Sequence, residues 1–186
     1  MPNRFFDADN YPFSTKDKLC FDTNIWLYLF PPTPSFGGHK WVVSYSKTFK
    51  KIRQNRVPIV LDVSVLSEYL NQYARIEWEA YKKTQGSCGS FKMFRSSRYF
   101  APVARIAAFS VSKIIAQCEP MLLPTIKTEF DITHILDDYA SVKCDFTDSI
   151  LAENCRIFGY KLVTNDADFS QIDYGIDIIT HNSALF

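Results

Sequence analysis

The 186-residue sequence predicts an α/β fold, a short parallel sheet covered by helices on both faces. Short apolar runs recur along the chain, each followed by a stretch of helical period. Two of these runs, Leu19-Cys20-Phe21 and Leu162-Val163, stop abruptly at small polar and acidic residues, Asp22-Thr23-Asn24 and Thr164-Asn165-Asp166. A buried parallel strand has this form when it delivers a carboxylate to the carboxyl edge of the sheet, where open α/β folds place their sites.

Asp17–Phe21 is the first expected strand. Thr23–Leu29 follows as a short helix that must end before Pro31-Pro32, because a residue preceding proline disfavours helical backbone. Residues 31–39 are rich in Pro and Gly and read as a loop. Val42–Asn55 has helical period, with Lys47, Lys50, Lys51 and Arg53 on its polar face, and Pro58–Leu61 is a second short strand. Ser64–Arg75 is an amphipathic helix with the stripe Leu66, Tyr69, Leu70, Tyr73. Gly86–Ser90 breaks the chain between two helices, the second over Pro102–Gln117. Met121–Leu123 is a third strand. Helical pattern returns over Thr128–Tyr139 and Phe146–Phe158, where Leu151, Cys155 and Phe158 form a stripe and Gly159 closes the helix. Lys161–Thr164 and Ile176–Thr180 complete the sheet. Right-handed crossovers then bring every strand's carboxyl end to one edge.

A chain of this length forms about one domain, expected over residues 1–186 with a helical elaboration at 76–118. No apolar run approaches the ~18 residues of a membrane span, and Met1–Asn10 is too polar for a secretory signal. The five cysteines are odd in number, scattered and without a C-x-x-C pair, which points to reduced thiols and a cytoplasmic location rather than a disulfide framework or a zinc site. A net charge of +1 conceals polarity along the chain. Lys82 to Lys113 carries seven basic residues and no acid, whereas from Glu119 onward twelve acids face four bases. A solvated helix face explains the basic run as well as a polyanion-binding arm does.

The acids are the chemistry-bearing residues. Asp22 ends the first strand, Glu68 lies one turn into the helix after the second, and Asp166 follows the fourth, with Asp168 two residues on. Asp145 and Asp148, three apart at a helix start, share a face. Singly, each reads as an N-cap or a first-turn acid that complements the helix dipole. Together they converge on one sheet edge. Like charges ~4 Å apart repel by several kcal/mol at an effective dielectric near 20, and a Mg²⁺ or Mn²⁺ ion removes that penalty. Ions so held activate water and stabilise both oxygens of an in-line phosphodiester displacement. The three histidines sit in no catalytic pattern, and no G-x-x-x-x-G-K-[ST] motif cradles a nucleotide triphosphate.

In this order, Asp22-Thr23-Asn24 after a strand, Glu68 in Val63-Ser64-Val65-Leu66-Ser67-Glu68-Tyr69, Asp145-Phe146-Thr147-Asp148-Ser149-Ile150-Leu151-Ala152, and Gly159 to Phe169, the chain resembles PIN-domain nucleases. The similarity is closest to VapC-type toxins of bacterial toxin–antitoxin pairs, and it spans nearly the whole chain from Asp17 to Thr180. It implies a three-layer α/β/α sandwich around a short parallel sheet and Mg²⁺- or Mn²⁺-dependent endonucleolytic hydrolysis of RNA, leaving a 3′-hydroxyl and a 5′-phosphate. The family's four catalytic acids fall on Asp22, Glu68, Asp148 and Asp166. Asp22, Asp148 and Asp166 hold metal in this reading, with Asp145 and Asp168 as helpers. Thr164 and Thr23 contact substrate at the acids, and Lys92, Arg95 and Arg98 contact its phosphates. Phe91, Phe94, Tyr99 and Phe100, interleaved with these bases, read equally as base-stacking surface or as core.

The resemblance also implies an RNA substrate, an antitoxin partner and a homodimer, with no membrane involvement. Two departures stand out: the chain is longer than such toxins at Pro31–Lys40 and at Ile76–Cys118. An alternative reading is a PIN-like module that binds RNA or protein without catalysis, which loss of an acid would mark; none of the four is missing. A phosphatase with an aspartyl nucleophile would want Asp-x-Asp after the first strand, where this chain has Asp22-Thr23-Asn24.

Overall fold

A computed structural model describes residues 2–33, 36, 40–85, 89–118, 131, 134–135, 138 and 146–185. Five strands, β1 (Arg4–Asp7), β2 (Leu19–Phe21), β3 (Ile59–Val60), β4 (Lys161–Val163) and β5 (Asp177–Thr180), form one sheet in the order β1-β5-β4-β2-β3. Every pairing is parallel, with Cys20 opposite Val60 on one side and Leu162 on the other. Leu19, Cys20, Phe21, Leu162, Val163, Ile178 and Ile179 are all buried. Continuous rather than alternating apolar sequence is what strands covered on both faces require. From β2 the chain continues outward to β3, and from β4 it continues outward to β5 on the other side. The topological switch point therefore lies between β2 and β4.

Strand β1 is absent from the sequence reading. Its residues Arg-Phe-Phe-Asp sit in a polar context, and at the sheet's edge they are only partly buried. Pairing still fixes them: Arg4 lies opposite Asp177 in register and makes an ion pair with it. The strand expected at Met121–Leu123 and most of the helix expected over Thr128–Tyr139 lie outside the described residues; His134, Ile135 and Asp138 within that stretch are helical.

The helices are α1 (Thr23–Leu29), α2 (Lys40–Gln54), α3 (Val63–Gln85), α4 (Phe91–Arg95), α5 (Phe100–Ile115) and α6 (Phe146–Phe158). Helix α1 stops before the two prolines, with Phe30 N bonded to Trp26 O at 2.8 Å. Helix α2 ends on Arg56 at φ 52°, with Val57 N closing back on Ile52 O at 3.1 Å, the left-handed termination usually given to glycine. Gly159, at φ 65°, ends α6 in the same way, with Tyr160 N on Cys155 O at 2.9 Å.

Helix α3 overturns two expectations. It runs ten residues past Arg75, because no Gly or Pro interrupts the chain before Gly86. Of its expected stripe Tyr69 and Tyr73 are buried, but Leu70 is 39% exposed and Val65 takes its place in the core. The helix begins on Asp62, whose Oδ1 accepts from Ser64 N and Ser64 Oγ, both at 2.8 Å, an N-terminal cap. Asn154 Nδ2 of α6 donates to the other Asp62 oxygen at 2.9 Å. Helix α5 packs back on α3, α1 contacts both α2 and α3, and α6 lies against β4. Trp26, Tyr45, Tyr69 and Phe169, each at 0–1% exposure, are among the largest side chains of the core. No described helix is long and apolar enough to cross a membrane.

Candidate active site

The chain leaves β2 directly into α1, and Asp22 occupies the joint. Asp22 N bonds to Val163 O of the neighbouring β4 at 3.1 Å, so the backbone is tied across the switch point. The extended backbone of Asp22 (φ −66°, ψ 158°) makes it the N-cap of α1. Its Oδ1 accepts from Thr23 N at 2.5 Å, and its Oδ2 accepts from Asn24 Nδ2 and from Thr164 Oγ1, both at 2.7 Å. Thr164, fully buried at the end of β4, also takes the Asp166 backbone N–H on its hydroxyl oxygen at 3.0 Å. A single hydroxyl therefore sets both strand-end loops.

Glu68 reaches the same place from α3. Its Oε2 accepts from Thr23 Oγ1 at 2.9 Å. Asp22 is 5% exposed, and burial pushes its carboxyl up to about 7; hydrogen bonds from Thr164 and Thr23 pull down, while the charges of Glu68 and Asp166 push further up. The structure thus brings Asp22, Thr23, Glu68, Thr164 and Asp166 together, from elements far apart in sequence.

Among the described residues, the charges that act most on Asp22 are those of the acids Glu68 and Asp166. The donor set is oxygen throughout, and Asn24 Oδ1, buried beside Asp22, has no hydrogen-bond partner. Hard, under-neutralised oxygen donors fit a Mg²⁺- or Mn²⁺-sized cation and not a soft one.

The other expected site residues lie as follows. Asp148 is half-buried in the first turn of α6, and Asp145 is outside the described residues. Asp168 is exposed and opens a short 3₁₀ turn, Asp168–Ser170; its N–H bonds to Asp166 Oδ1 at 2.9 Å and its own Oδ1 accepts from Gln171 Nε2 at 3.2 Å. Lys92, Arg95 and Arg98 are exposed on α4 and the turn after it. Arg95 lies over the Phe91 and Phe100 rings at 5.9 and 5.8 Å, and Arg98 over Tyr99 at 5.1 Å. The interleaved aromatics pack α4 onto α3: Phe91 meets Trp78, and Phe94 and Tyr99 meet Tyr81. Trp78 is ten residues beyond Glu68, about 15 Å along the helix.

Sequence reasoning missed the supports. Tyr45 of α2 is buried; its hydroxyl lies 3.0 Å from Thr164 O and 3.1 Å from Asn165 Oδ1, and accepts from His181 N at 3.1 Å. Tyr28 stacks on Tyr45 at 5.6 Å, and its phenol is raised by burial while a hydrogen bond with Asn165 opposes that rise; the charges of Asp22 and Asp166 add to it. No local pattern marks either tyrosine. The group among the described residues whose ligand atoms all lie within 4.8 Å of one another is Asp7, Asp9 and His181, at the ends of β1 and β5. There Lys51 Nζ bonds to Asp9 O at 2.6 Å, and Thr48 Oγ1 sits 2.7 Å from His181 Nε2.

Among solved structures, the chain is similar to the crystal structure of VapBC2 from Rickettsia felis bound to a DNA fragment from their promoter. The TM-score is 0.52 and the identity 14%, over 87% of this chain and 98% of that one. At that identity the likeness establishes the fold, a parallel sheet flanked by helices in a PIN-like α/β/α sandwich. No family model matches the chain, and no curated protein matches its sequence.

Proposed function

We propose that the protein is a Mg²⁺- or Mn²⁺-dependent endoribonuclease. The observation that carries this reading is the approach of Glu68 and Asp166 to Asp22 at the β2/β4 switch point, close enough that their charges add to the burial that raises Asp22 to about 7. In this reading Asp22, Asp148 and Asp166 hold the ion, with Asp145 and Asp168 as outer helpers. The bound ion supplies Lewis-acid stabilisation of phosphoryl charge and lowers the pKa of water.

The chain's own residues do the rest. Asp22 is held to one rotamer by three donors, so it presents its carboxylate without reorganising. Thr23 orients Glu68, which takes a proton from the attacking water. The water oxygen adds to phosphorus and the bond to the 3′-oxygen breaks; the proton taken by Glu68 is returned through solvent to the leaving 3′-oxygen, so that one strand departs with a 3′-hydroxyl and the other keeps a 5′-phosphate. Thr164 fixes the separation of Asp22 from the Asp166 loop, so its substitution is expected to lower kcat more than it raises KM.

The test is cleavage of total RNA by purified protein in Mn²⁺, with EDTA, Asp22→Ala and Asp148→Asn as controls. Cleavage by wild type alone supports the reading, and equal cleavage by Asp22→Ala removes it. Metal-independent, salt-sensitive RNA binding with no turnover would favour the non-catalytic module instead.

Following the resemblance and the VapBC2 likeness, we read the biological role as the toxin of a type II pair acting in the cytoplasm, with an antitoxin or a second copy of the chain as partner. Exposed apolar side chains on α3 and α5, including Val63 at 56%, Ile106 at 57% and Phe109 at 61%, give such a partner a surface. Growth arrest on expression, relieved by the product of an adjoining reading frame, is the expected result. Unimpaired growth with active protein would remove the toxin role.

A further inference from the structure

A groove of about 570 Å³ runs along α3 away from the acids, and nothing in the nuclease chemistry uses it. Its volume suits a nucleotide-sized ligand. On α3 it is lined by Gln72, Arg75, Glu79 and Lys83, among others. These residues follow Glu68 at steps of three and four, so they continue the face that presents Glu68 to Asp22. Gln72 is about 6 Å and Arg75 about 10 Å along the helix from Glu68.

The opposite wall contains Thr33 and Phe36. Helix α3 holds that segment through Tyr69 Oη on Phe30 O at 2.7 Å and Tyr73 Oη on Pro32 O at 3.4 Å. Phe36 stacks on Tyr28 at 6.0 Å and 27°, and Tyr28 stacks on Tyr45 at 5.6 Å and 14°. An aromatic ladder therefore leads from the Thr164–Asn165 corner of the site into the groove. At its far end Trp78 lines the groove, with Phe91 against it at 5.4 Å, and Arg75 lies over the same Phe91 ring at 4.8 Å.

The charges favour a polyanion. Glu79 is paired with Lys82 at 2.5 Å, which leaves the cations Arg75 and Lys83 to set the sign of the groove. We propose that this groove is a base-stacking subsite for an unpaired nucleotide of a single-stranded RNA, placed next to the phosphodiester cut at the acids. Phe36 takes the base face, Gln72 faces the base edge, and Arg75 and Lys83 take the flanking phosphates; Trp78, with Lys82 over its ring at 4.0 Å, closes the far end. A duplex keeps its base faces stacked and cannot enter, whereas aromatic platforms with adjacent cations bind single strands. The assignment rests on the ribonuclease reading for its substrate, and it adds the determinant of where along a strand the enzyme settles.

The experiment separates the two. A labelled single-stranded RNA of about ten nucleotides, and the same strand annealed to its complement, are titrated with full-length protein in EDTA. Phe36→Leu and Arg75→Ala are compared with wild type after their melting temperatures confirm folding. Loss of one stacked base weakens single-strand binding roughly tenfold, so Phe36→Leu is expected to show that loss with duplex binding unchanged. Arg75→Ala is expected to lower the salt slope by about one. Single-strand affinity that is unchanged in both variants, or absent in wild type, overturns the subsite. A protein partner that occupies the groove while RNA does not bind there overturns it as well. Tenfold-weaker binding without cleavage by wild type in Mn²⁺ upholds the groove and ends the nuclease reading. Cleavage with identical KM in Phe36→Leu does the reverse.

Discussion

Replacing Asp22 by asparagine is expected to stabilise the metal-free protein at pH 8 and to destabilise it at pH 4. Burial, with the charges of Glu68 and Asp166, lifts the Asp22 carboxyl from its ordinary 3.8 to about 7. An acid whose folded value exceeds its unfolded one favours folding in its protonated form. Its contribution is fully present below pH 3.8, declines as pH rises, and is lost above about 7. That interval of about three pH units, at ~1.4 kcal/mol per unit, amounts to roughly 4 kcal/mol. Asparagine keeps an acceptor for Thr23 N but puts an amide N–H₂ where Asn24 and Thr164 now donate. Losing those bonds costs about 2 kcal/mol. The variant should then be more stable by roughly 2 kcal/mol at pH 8 and less stable by about as much at pH 4, where wild type carries no charge there. Urea unfolding in EDTA at the two pH values reads both differences. Adding Mn²⁺ at a hundred times its Kd stabilises wild type by about 2.7 kcal/mol and should reverse the order at pH 8. The same sign at both pH values in EDTA would refute the claim that Asp22 is buried as an under-compensated charge.

Four further outcomes are expected. Gly159→Ala should cost about 1–2 kcal/mol in thermal unfolding, from the left-handed backbone at φ 65° alone, since no atom lies within 4 Å of the added Cβ. Arg56→Gly, at φ 52°, should run the other way and gain up to about 1 kcal/mol. Tyr45→Phe strips a buried hydroxyl from Thr164 O and His181 N and should cost about 1–3 kcal/mol; an unchanged melting temperature would show that this hydroxyl does not tie α2 to the site. Burial pushes Asp177 up, but hydrogen bonds from Lys161 and Arg4 outweigh it and hold the carboxyl below its ordinary value of 3.8. Its stabilisation is therefore present above pH 4 and lost as pH falls through the folded value. Asp177→Asn should be less stable than wild type by roughly 1–2 kcal/mol at pH 7, with the gap closing towards pH 2 in chemical denaturation.

The parts of the fold legible in the sequence are those where burial is complete. Strand β2 is apolar throughout and β4 is apolar after Lys161, and both end on polar residues, so both their positions and their carboxyl-edge acids could be read. Strand β1 could not, because an edge strand is half-exposed and its Arg4 and Asp7 resemble a loop. In α3 the existence of the helix was plain, and Tyr69 and Tyr73 of its expected stripe are buried; Leu66 is only partly buried, Leu70 faces out, and Val65 joins the core instead. Leu66, Tyr69, Leu70 and Tyr73 have helical spacing, and so do Val65, Tyr69 and Tyr73; only the packing of α1 and α5 against the helix selects the second set. At the site, Asp22, Glu68 and Asp166 follow from where strands end and helices begin. Tyr28, Tyr45 and Asn165 do not, since their roles come from contacts across the fold and no local pattern requires them.

The acids are held by two different kinds of structure. Asp22 and Thr164 belong to the sheet: Asp22 N is bonded to Val163 O at 3.1 Å, and Thr164 N to Ile179 O at 3.2 Å. Their separation is set by neighbouring strands and changes little without breaking the ladder. Glu68 belongs to α3, and it is tied to the start of α1, beside Asp22, by the Thr23 hydroxyl at 2.9 Å. The same helix face carries Gln72 and Arg75 into the groove. A ligand seated against α3 and Phe36 must therefore bear on the position of Glu68, whereas it leaves the Asp22–Thr164 pair fixed. Variation in the groove should accordingly alter the alignment of Glu68 before it alters that of Asp22.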